Sequence, residues 1–441
     1  MLGGPAVWQA RCEPPPEGPH VSTPNVLDEL AWRGLVAHST DIDALRTALG
    51  GGSVRFYVGF DPTAPSLHMG NLVQLVTARR LQDAGHTPYV LVGGATGMIG
   101  DPKDSGERTL NSLDTVKDWT ERVRKQVSGF VSFDGPNAAT VVNNYDWTAS
   151  LSVIDFLRDI GKHFPVNRML ARDTVRRRLD SGISYTEFSY VLLQSMDFMA
   201  LNRDHGVTLQ FGGSDQWGNI TGGAELIRRA TGNQAHAFAT PLVTKADGTK
   251  YGKTEGGALW LDPEMMSPYA FHQFWLNVED EKVAEMLRIF TFLPREEIEA
   301  LEKQTADEPW KRAAQRRLAD EVTTLVHGAE ETEQAKAAAA ALFGGGDLHS
   351  ISTTTLAAAV REAGSTSVSR SDLPSVVDLF VETGLAKSKG EARRTISEGG
   401  AYLNNERVED PERVPTEADL LGGAWLVLRR GKKNFAGVEV L

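Results

Sequence analysis

Between residues 54 and 100 the chain alternates an apolar run, a helical run and a second apolar run. Val54-Arg55-Phe56-Tyr57-Val58 reads as a strand, residues 71 to 84 as a helix ended by Gly85, and Pro88-Tyr89-Val90-Leu91-Val92 as a strand. Strands joined through a helix pair in parallel, which places ligands at their C-terminal ends. The first strand leaves through Gly59-Phe60-Asp61-Pro62-Thr63-Ala64-Pro65-Ser66-Leu67 to His68, and the helix follows with Leu72, Leu75 and Val76 on one face. A helix start gathers free N–H groups and the positive end of the dipole, so it seats an anion. His68 and Asn71, at i and i+3, share a face, and both side chains can donate to phosphate oxygens.

The chain has 441 residues, which implies two or three domains. Residues 1–23 contain Pro14-Pro15-Pro16 and are expected to form a disordered extension. Residues 25 to 49 and 111 to 130 read as helices, and Ala139 to Asn144 as a short strand. Ser184-Tyr185-Thr186-Glu187 is a capping box opening a helix to about Asn202. A strand at 207 to 211 and a helix at 220 to 230 follow, and Ser267 to Phe343 is helical throughout. Residues 347–372 are rich in Ser, Thr and Ala and read as a linker, which leaves 373–441 as a separate unit.

Composition excludes several classes. The net charge of −12 opposes a simple nucleic-acid coat protein. No run of 18 apolar residues exists, so no membrane span or membrane partner is expected. Met1-Leu2-Gly3-Gly4-Pro5 lacks the pattern of a signal peptide. Cys12 is the sole cysteine, which rules out an internal disulfide and a multi-cysteine zinc site and fits a reducing cytoplasm.

Several further stretches carry residues suited to chemistry. Lys250-Tyr251-Gly252-Lys253-Thr254 places two lysines and a hydroxyl in a glycine loop. Such a loop suits either a polyphosphate or a solvated hairpin tip. Gly94, Gly97 and Gly100 mimic a dinucleotide-binding turn, the mark of a nicotinamide-dependent dehydrogenase. Asp101-Pro102 breaks the chain where that fold needs a helix. Tyr190, Gln194 and Asp197 form a polar stripe on an otherwise apolar helix; they either satisfy one another or meet a ligand. Gly213, Asp215 and Gln216 sit in a turn after a strand, as ligand contacts or as an ordinary turn. Lys387, Lys389, Arg393 and Arg394, with Arg429, Arg430, Lys432 and Lys433, concentrate positive charge in the last unit, as a phosphate-backbone footprint or a solvated face.

Together these stretches resemble one family, the bacterial tyrosyl-tRNA synthetases, class I aminoacyl-tRNA synthetases. Pro62 to Asn71 is similar to the His-x-Gly-His signature, and Lys250 to Thr254 to the mobile lysine loop. Tyr57 to Thr63, Thr186 to Tyr190 and Gly213 to Asn219 resemble stretches characteristic of the tyrosine enzyme. The resemblance implies an α/β protein: a Rossmann-type catalytic domain with a parallel sheet at 24–262, an α-helical anticodon-region domain at 263–346, the linker, and an αL RNA-binding motif domain at 373–441. It further implies ATP as substrate with accompanying Mg2+, no protein-bound metal site, L-tyrosine and tRNA(Tyr) as partners, and a homodimer. By the same resemblance His68, Asn71, Lys250, Lys253 and Thr254 act on the phosphates. Gly59, Asp61, Thr63, Gly213, Asp215 and Gln216 line the ATP and adenylate site with His68 and Lys253. Tyr57 and Asp197 take the substrate phenol, while Tyr190, Gln194 and Asp101 take its ammonium group. Lys387, Lys389, Arg393, Arg394, Lys432 and Lys433 meet tRNA. The tryptophan enzyme is the nearest rival.

The chain departs from the pattern at Asn71, where the second signature histidine usually stands, and near Ser105, where relatives place a lysine; Lys103 or Arg108 is the candidate replacement. On this reading Lys253→Ala slows adenylate formation by at least about 100-fold, as for other lost transition-state contacts. Pyrophosphate exchange with near-normal turnover would refute the assignment.

Overall fold

The computed structural model describes residues 25–103, 106, 110–249, 258–343, 346–431 and 434–441. Lys250 to Thr254, Ser105, Arg108, Lys432, Lys433 and the N-terminal extension lie outside the described residues. The chain divides into two compact units, one running to Asp262 and including Ala284–Ala300, the other holding Pro263–Val283 and Leu301–Leu441.

The first unit is built on six strands: β1 (His38–Ser39), β2 (Arg55–Phe60), β3 (Thr87–Val92), β4 (Thr140–Asn143), β5 (Leu209–Gly213) and β6 (His236–Thr240). Their order is β1-β6-β5-β2-β3-β4, with every neighbouring pair parallel except β1 with β6. After β2 the chain builds outward through β3 and β4, then returns to the other side for β5 and β6. The order therefore reverses between β2 and β5, and a crevice opens at their C-terminal ends.

The residues explain this arrangement. Phe56, Tyr57, Val58 and Phe60 are all buried, as a central strand covered on both faces requires. Phe56 packs on Phe211 with ring centroids 5.8 Å apart, and Phe211 stacks on Phe238 at 5.0 Å. The helix after β2 runs from Met69 to Asp83, and Val73 and Ala78 are buried along with the expected Leu72, Leu75 and Val76. Residues 25 to 49 are two helices, Val26–Trp32 and Ile42–Gly50, because Gly34 turns the chain at φ +76° and β1 then pairs with β6. Strand β5 extends to Gly213 because its ladder with β6 continues to Gly213 and Thr240.

Residues 284–300 belong to this first unit, although the sequence pattern assigns them to the helical domain. Two buried arginines hold them. Arg33 donates to the carbonyls of Arg288 (3.0 Å), Thr291 (2.9 Å) and Leu293 (2.8 Å), and Arg80 to those of Ile289 (2.9 Å) and Thr291 (2.5 Å). These acceptors lie at the C-terminal end of helix Asp280–Phe290, where carbonyls lack intrahelical partners and cations are favoured.

The second unit packs helices Pro268–Leu276, Ala313–His327 and Ala329–Leu342 with a five-stranded sheet. Its strands are β7 (Ser365–Val368), β8 (Ala401–Leu403), β9 (Glu406–Arg407), β10 (Trp425–Arg430) and β11 (Asn434–Val440), in the order β7-β11-β10-β8-β9. The expected linker at 347–372 is corrected here. It forms helix Thr353–Ala363 and strand β7, which pairs in parallel with β11. Its Leu348, Ile351, Leu356, Ala359 and Val360 share one apolar core with Tyr269, Ala335, Ala338, Trp425 and Val427. Small and polar residues made the segment look soluble, but alternate turns of its helix are apolar and meet a complementary face. Gly437 on β11 permits this approach, since a Cβ there would lie 2.6 Å from the Val360 Cβ. Leu356→Ala is expected to destabilise this unit by about 2–5 kcal/mol in urea denaturation, whereas a solvated linker residue would change it by less than about 0.5 kcal/mol.

Candidate active site

Strand periodicity aligns the first elements of the site. Tyr57, Gly59 and Asp61 alternate along β2 and its continuation, so they share the sheet face opposite Phe56, Val58 and Phe60. Helix Tyr185–His205 covers that face, with Phe198 5.5 Å from the Tyr57 ring centroid. Its stripe of Tyr190, Gln194 and Asp197 carries polar groups onto the same region. They do not satisfy one another. Tyr190 and Asp197 each bond a residue from another element, and the buried Gln194 Oε1 has no hydrogen-bond partner.

Asp61 joins three elements. Its Oδ2 accepts from the Tyr190 hydroxyl at 2.6 Å and its Oδ1 from the Thr96 hydroxyl at 2.6 Å. The glycines after β3 serve this packing. A Cβ on Gly93 would overlap Asp61 Oδ1 and Thr96 Oγ1, and one on Gly97 would lie 2.9 Å from the Pro62 ring. Of the other glycines whose spacing mimics a dinucleotide turn, Gly94 has no room for a Cβ beside the Asn143 side chain, and Gly100 adopts φ +80°.

The deep end of the site contains one hydroxyl and one carboxylate. Tyr57 is paired in register with Gln210 on β5, whose Nε2 donates to the Tyr57 oxygen at 2.6 Å. Asp197 Oδ2 accepts from Asn144 Nδ2 at 3.0 Å, and Oδ1 from Trp147 Nε1 at 2.9 Å. Burial pushes the Asp197 carboxyl up to about 7, against the two donors that lower it and with the nearby Asp61 charge raising it further. Burial, followed by the charges of Asp197 and Asp61, raises the Tyr57 phenol well above its ordinary value.

At the other end, burial raises Tyr190 well above its ordinary pKa, with the charges of Asp61, Asp101 and Asp197 acting in the same direction. Asp101 accepts from Gln216 Nε2 at 2.8 Å and Asn219 Nδ2 at 3.0 Å. Asn219 also donates to Gln216 Oε1 at 2.8 Å, and its own Oδ1 accepts from Arg172. Asp101, Arg172, Glu187, Asp215 and Asn219 line a polar cleft there.

His68 caps helix Met69–Asp83. Its Nδ1 accepts from the Gly70 N–H at 3.0 Å, while Asn71 Oδ1 accepts from the His68 N–H at 3.0 Å. Acceptance at Nδ1 places the proton of the neutral ring on Nε2. Desolvation by the surrounding chain lowers the His68 pKa, partly offset by a backbone hydrogen bond and then by the Asp215 charge, although the residue stays exposed. Asn71 uses its oxygen in the cap, which leaves the two N–H bonds of its carboxamide uncommitted to the cap. The exit of the lysine loop is tied to this point. Met69 N donates to Leu259 O at 3.0 Å and Leu261 N to Leu67 O at 2.9 Å.

Gly59 is exposed at the end of β2, and a Cβ there would make only ordinary contacts, at 3.6 Å to Tyr57 and 3.7 Å to Leu91. Thr63 and Asp215 are exposed, the latter in the short turn Ser214–Gln216, and Gly213 ends β5. Lys103 offers its carbonyl to Arg178. The side chains that sequence reasoning missed are Thr96, Asn144, Trp147, Arg172 and Gln210. Gln210 carried one usable signal, a lone amide inside an apolar strand.

In the second unit Lys387, Lys389, Arg393 and Arg394 are exposed around the start of helix Lys389–Ser397, capped by Ser388. Lys389 pairs with Asp378 at 2.5 Å and Arg393 with Glu412 at 3.2 Å. Arg429 departs from the expected basic surface. It is buried, 3.9 Å over the Tyr402 ring, and donates to Asn405 Oδ1 at 3.2 Å.

Comparison with known proteins shows the family of the chain. Residues 50–344 match the family tRNA synthetases class I (W and Y). The chain belongs to the class I tRNA synthetases. Residues 356–438 match the tyrosine–tRNA ligase SYY-like C-terminal domain. The tyrosine–tRNA ligase of Streptomyces coelicolor is 61% identical over 419 residues, covering 94% of this chain and 99% of that protein. That of Kineococcus radiotolerans is 60% identical over 417 residues, with coverage of 94% and 99%. A solved structure, the C-terminally truncated mitochondrial tyrosyl-tRNA synthetase of Coccidioides posadasii, is 32% identical at a TM-score of 0.63, covering 70% of this chain and 90% of that one. For this synthetase, Gly93→Ala is expected to displace the Asp61 carboxylate and cost about 1–3 kcal/mol of stability, as overpacked sites do. An unchanged melting temperature would show that Asp61 has room to move.

Proposed function

We propose that the chain is a tyrosine–tRNA ligase, which activates L-tyrosine with ATP to tyrosyl-adenylate plus pyrophosphate and transfers tyrosine to the 3′-terminal ribose of tRNA(Tyr). The observation that carries this reading is the opposite hydrogen-bond polarity of two buried tyrosines. Gln210 occupies the acceptor side of the Tyr57 hydroxyl, so Tyr57 offers its proton. Asp197, fixed by Asn144 and Trp147, accepts. One donor beside one acceptor matches a phenol hydroxyl. An indole has only a donor, and a phenylalanine ring has neither, so each would leave a buried polar group unpaired. Tyr190 gives its proton to Asp61 and therefore accepts. Its oxygen, the unpartnered Gln194 Oε1 and the Asp101 carboxylate supply three acceptors for the three N–H bonds of an α-ammonium.

The chemistry is in-line attack of the tyrosine carboxylate on the α-phosphorus of ATP, with pyrophosphate leaving. The protein positions the two groups and stabilises developing charge. ATP would lie along Gly59, Thr63, Gly213, Asp215 and Gln216 at the strand ends. The Nε2–H of His68 and the carboxamide of Asn71 would donate to its phosphates beside the helix start. Lys250, Lys253 and Thr254 would close over the leaving pyrophosphate from a loop whose exit is anchored beside His68. Asp61 is better read as the group that orients Tyr190 than as an ATP contact. Magnesium would arrive with the nucleotide. Among the described residues no group of three or more His, Cys, Asp or Glu is placed to hold a metal.

The exposed cations Lys387, Lys389, Arg393 and Arg394, with Lys432 and Lys433, suit the phosphate backbone of tRNA. A second copy of the chain suits the exposed apolar run in which Val153 is 72%, Ile154 69% and Val166 60% accessible. A bacterial enzyme of this type works in the cytoplasm, and none of the described helices is long and apolar enough to cross a membrane.

Purified protein is expected to exchange pyrophosphate into ATP when tyrosine is supplied, and exchange with tryptophan instead would overturn the substrate assignment. The same assay tests Asp197. Its raised pKa means that it gains a proton as pH falls through about 7. Once protonated, it joins Tyr57 as a second donor facing the phenol oxygen and leaves the phenol proton unplaced. The KM for tyrosine should therefore rise as pH falls from 8 to 6, and a flat KM would refute the acceptor role of Asp197.

A further inference from the structure

The mechanism above leaves unused a buried ion pair beside the amino-acid pocket. Arg178 ends helix Asp173–Arg178, and Glu187 lies in the first turn of helix Tyr185–His205. Their side chains are 5% and 2% accessible, with Nη2 of Arg178 3.1 Å from Glu187 Oε2. The guanidinium makes three further bonds. Nε and Nη2 donate to the carbonyl of Gly182 at 3.2 and 3.0 Å, and Nη1 donates to the carbonyl of Lys103 at 2.7 Å. Gly182, at φ +92°, adopts the left-handed conformation of the turn that presents this carbonyl.

We propose that Arg178 is a positioning residue for the amino-group end of the pocket, holding the Asp101–Lys103 segment against the start of the helix that carries Tyr190 and Gln194. Lys103 is two residues from Asp101, and its carbonyl accepts from this guanidinium, which also grips Glu187, three residues before Tyr190. The three ammonium acceptors come from two separate segments, and Arg178 crosses between those segments. A planar fork reaches a carbonyl, a second carbonyl and a carboxylate at once, which a lysine does not. A buried ion pair adds little stability over an apolar pair of similar volume, so stability alone gives a weak reason for this one.

The proposal rests on the reading of Asp101 as an ammonium acceptor, and the test separates the two. Pyrophosphate exchange gives the KM for L-tyrosine, and competitive inhibition gives the Ki of 3-(4-hydroxyphenyl)propanoate, which keeps the phenol and carboxylate but lacks the amino group. Asp101→Asn should weaken L-tyrosine while leaving the analogue within about twofold; if it does not, the pocket reading fails and the Arg178 proposal falls with it. Arg178→Met should raise the KM for L-tyrosine by about tenfold, the equivalent of one displaced polar contact, with the analogue again within about twofold. Because Arg178→Met removes the guanidinium paired with the buried Glu187, Arg178→Met/Glu187→Gln is measured beside it. Combined with Asp101→Asn, either variant should add little further loss, as expected for groups acting through one another. If Asp101→Asn is selective but the Arg178 variants weaken both compounds equally, or neither, Arg178 has no positioning role and only this proposal is overturned.

Discussion

A half-buried carboxylate, Asp61, is the point on which the catalytic unit depends. It leaves the end of the central strand, accepts from Tyr190 on the covering helix and from Thr96 on the turn after the next strand, and requires glycine at position 93. Asn144 adds a second polar link, donating to Asp197 on the helix and to Thr96 on the turn, and much of the remaining contact is apolar and non-directional. Hydrogen bonds from a charged acceptor are directional and stronger than neutral ones, so they set the angle and depth of the helix over the sheet.

The same bond also sets chemistry. Tyr57 and Tyr190 are the same residue type, both buried and both with strongly raised pKa values. Their neighbours make them opposites. A donor on Gln210 occupies the Tyr57 oxygen and leaves its proton to point elsewhere, whereas an acceptor on Asp61 takes the Tyr190 proton. In the proposed site this polarity would distinguish a phenol from an ammonium. Arg178 extends the logic, because a carboxylate such as Asp101 has a defined place only if its backbone is held.

The second unit follows a different principle. A stretch that composition marks as a linker supplies a helix to a shared core, so the helical part and the C-terminal sheet fold as one body. Alanine and threonine are uninformative about burial because they fit either environment. Leu356 and Val360, at i and i+4, carried the signal, weakened by the short length of the segment. Arg429 illustrates the reverse error. Its charge suggested a surface, while the Tyr402 ring and Asn405 allow a guanidinium to be buried.

Much was determined by the sequence alone. The period-2 and period-3.6 patterns define the parallel sheet, since backbone hydrogen bonding leaves few ways to bury such faces. The motif residues at 57–71, 186–190, 213–219 and 250–254 carry the resemblance to the family. Tertiary structure alone decided the hydrogen-bond polarity of each tyrosine, the partners of Asp61 and Asp197, and the attachment of residues 284–300 to the catalytic unit by Arg33 and Arg80. All of these depend on pairs far apart in the chain, such as Asp61 with Tyr190 or Tyr57 with Gln210. Local propensity carries no information about which distant donor reaches a given acceptor, and that choice is made only when the sheet and its covering helix come together.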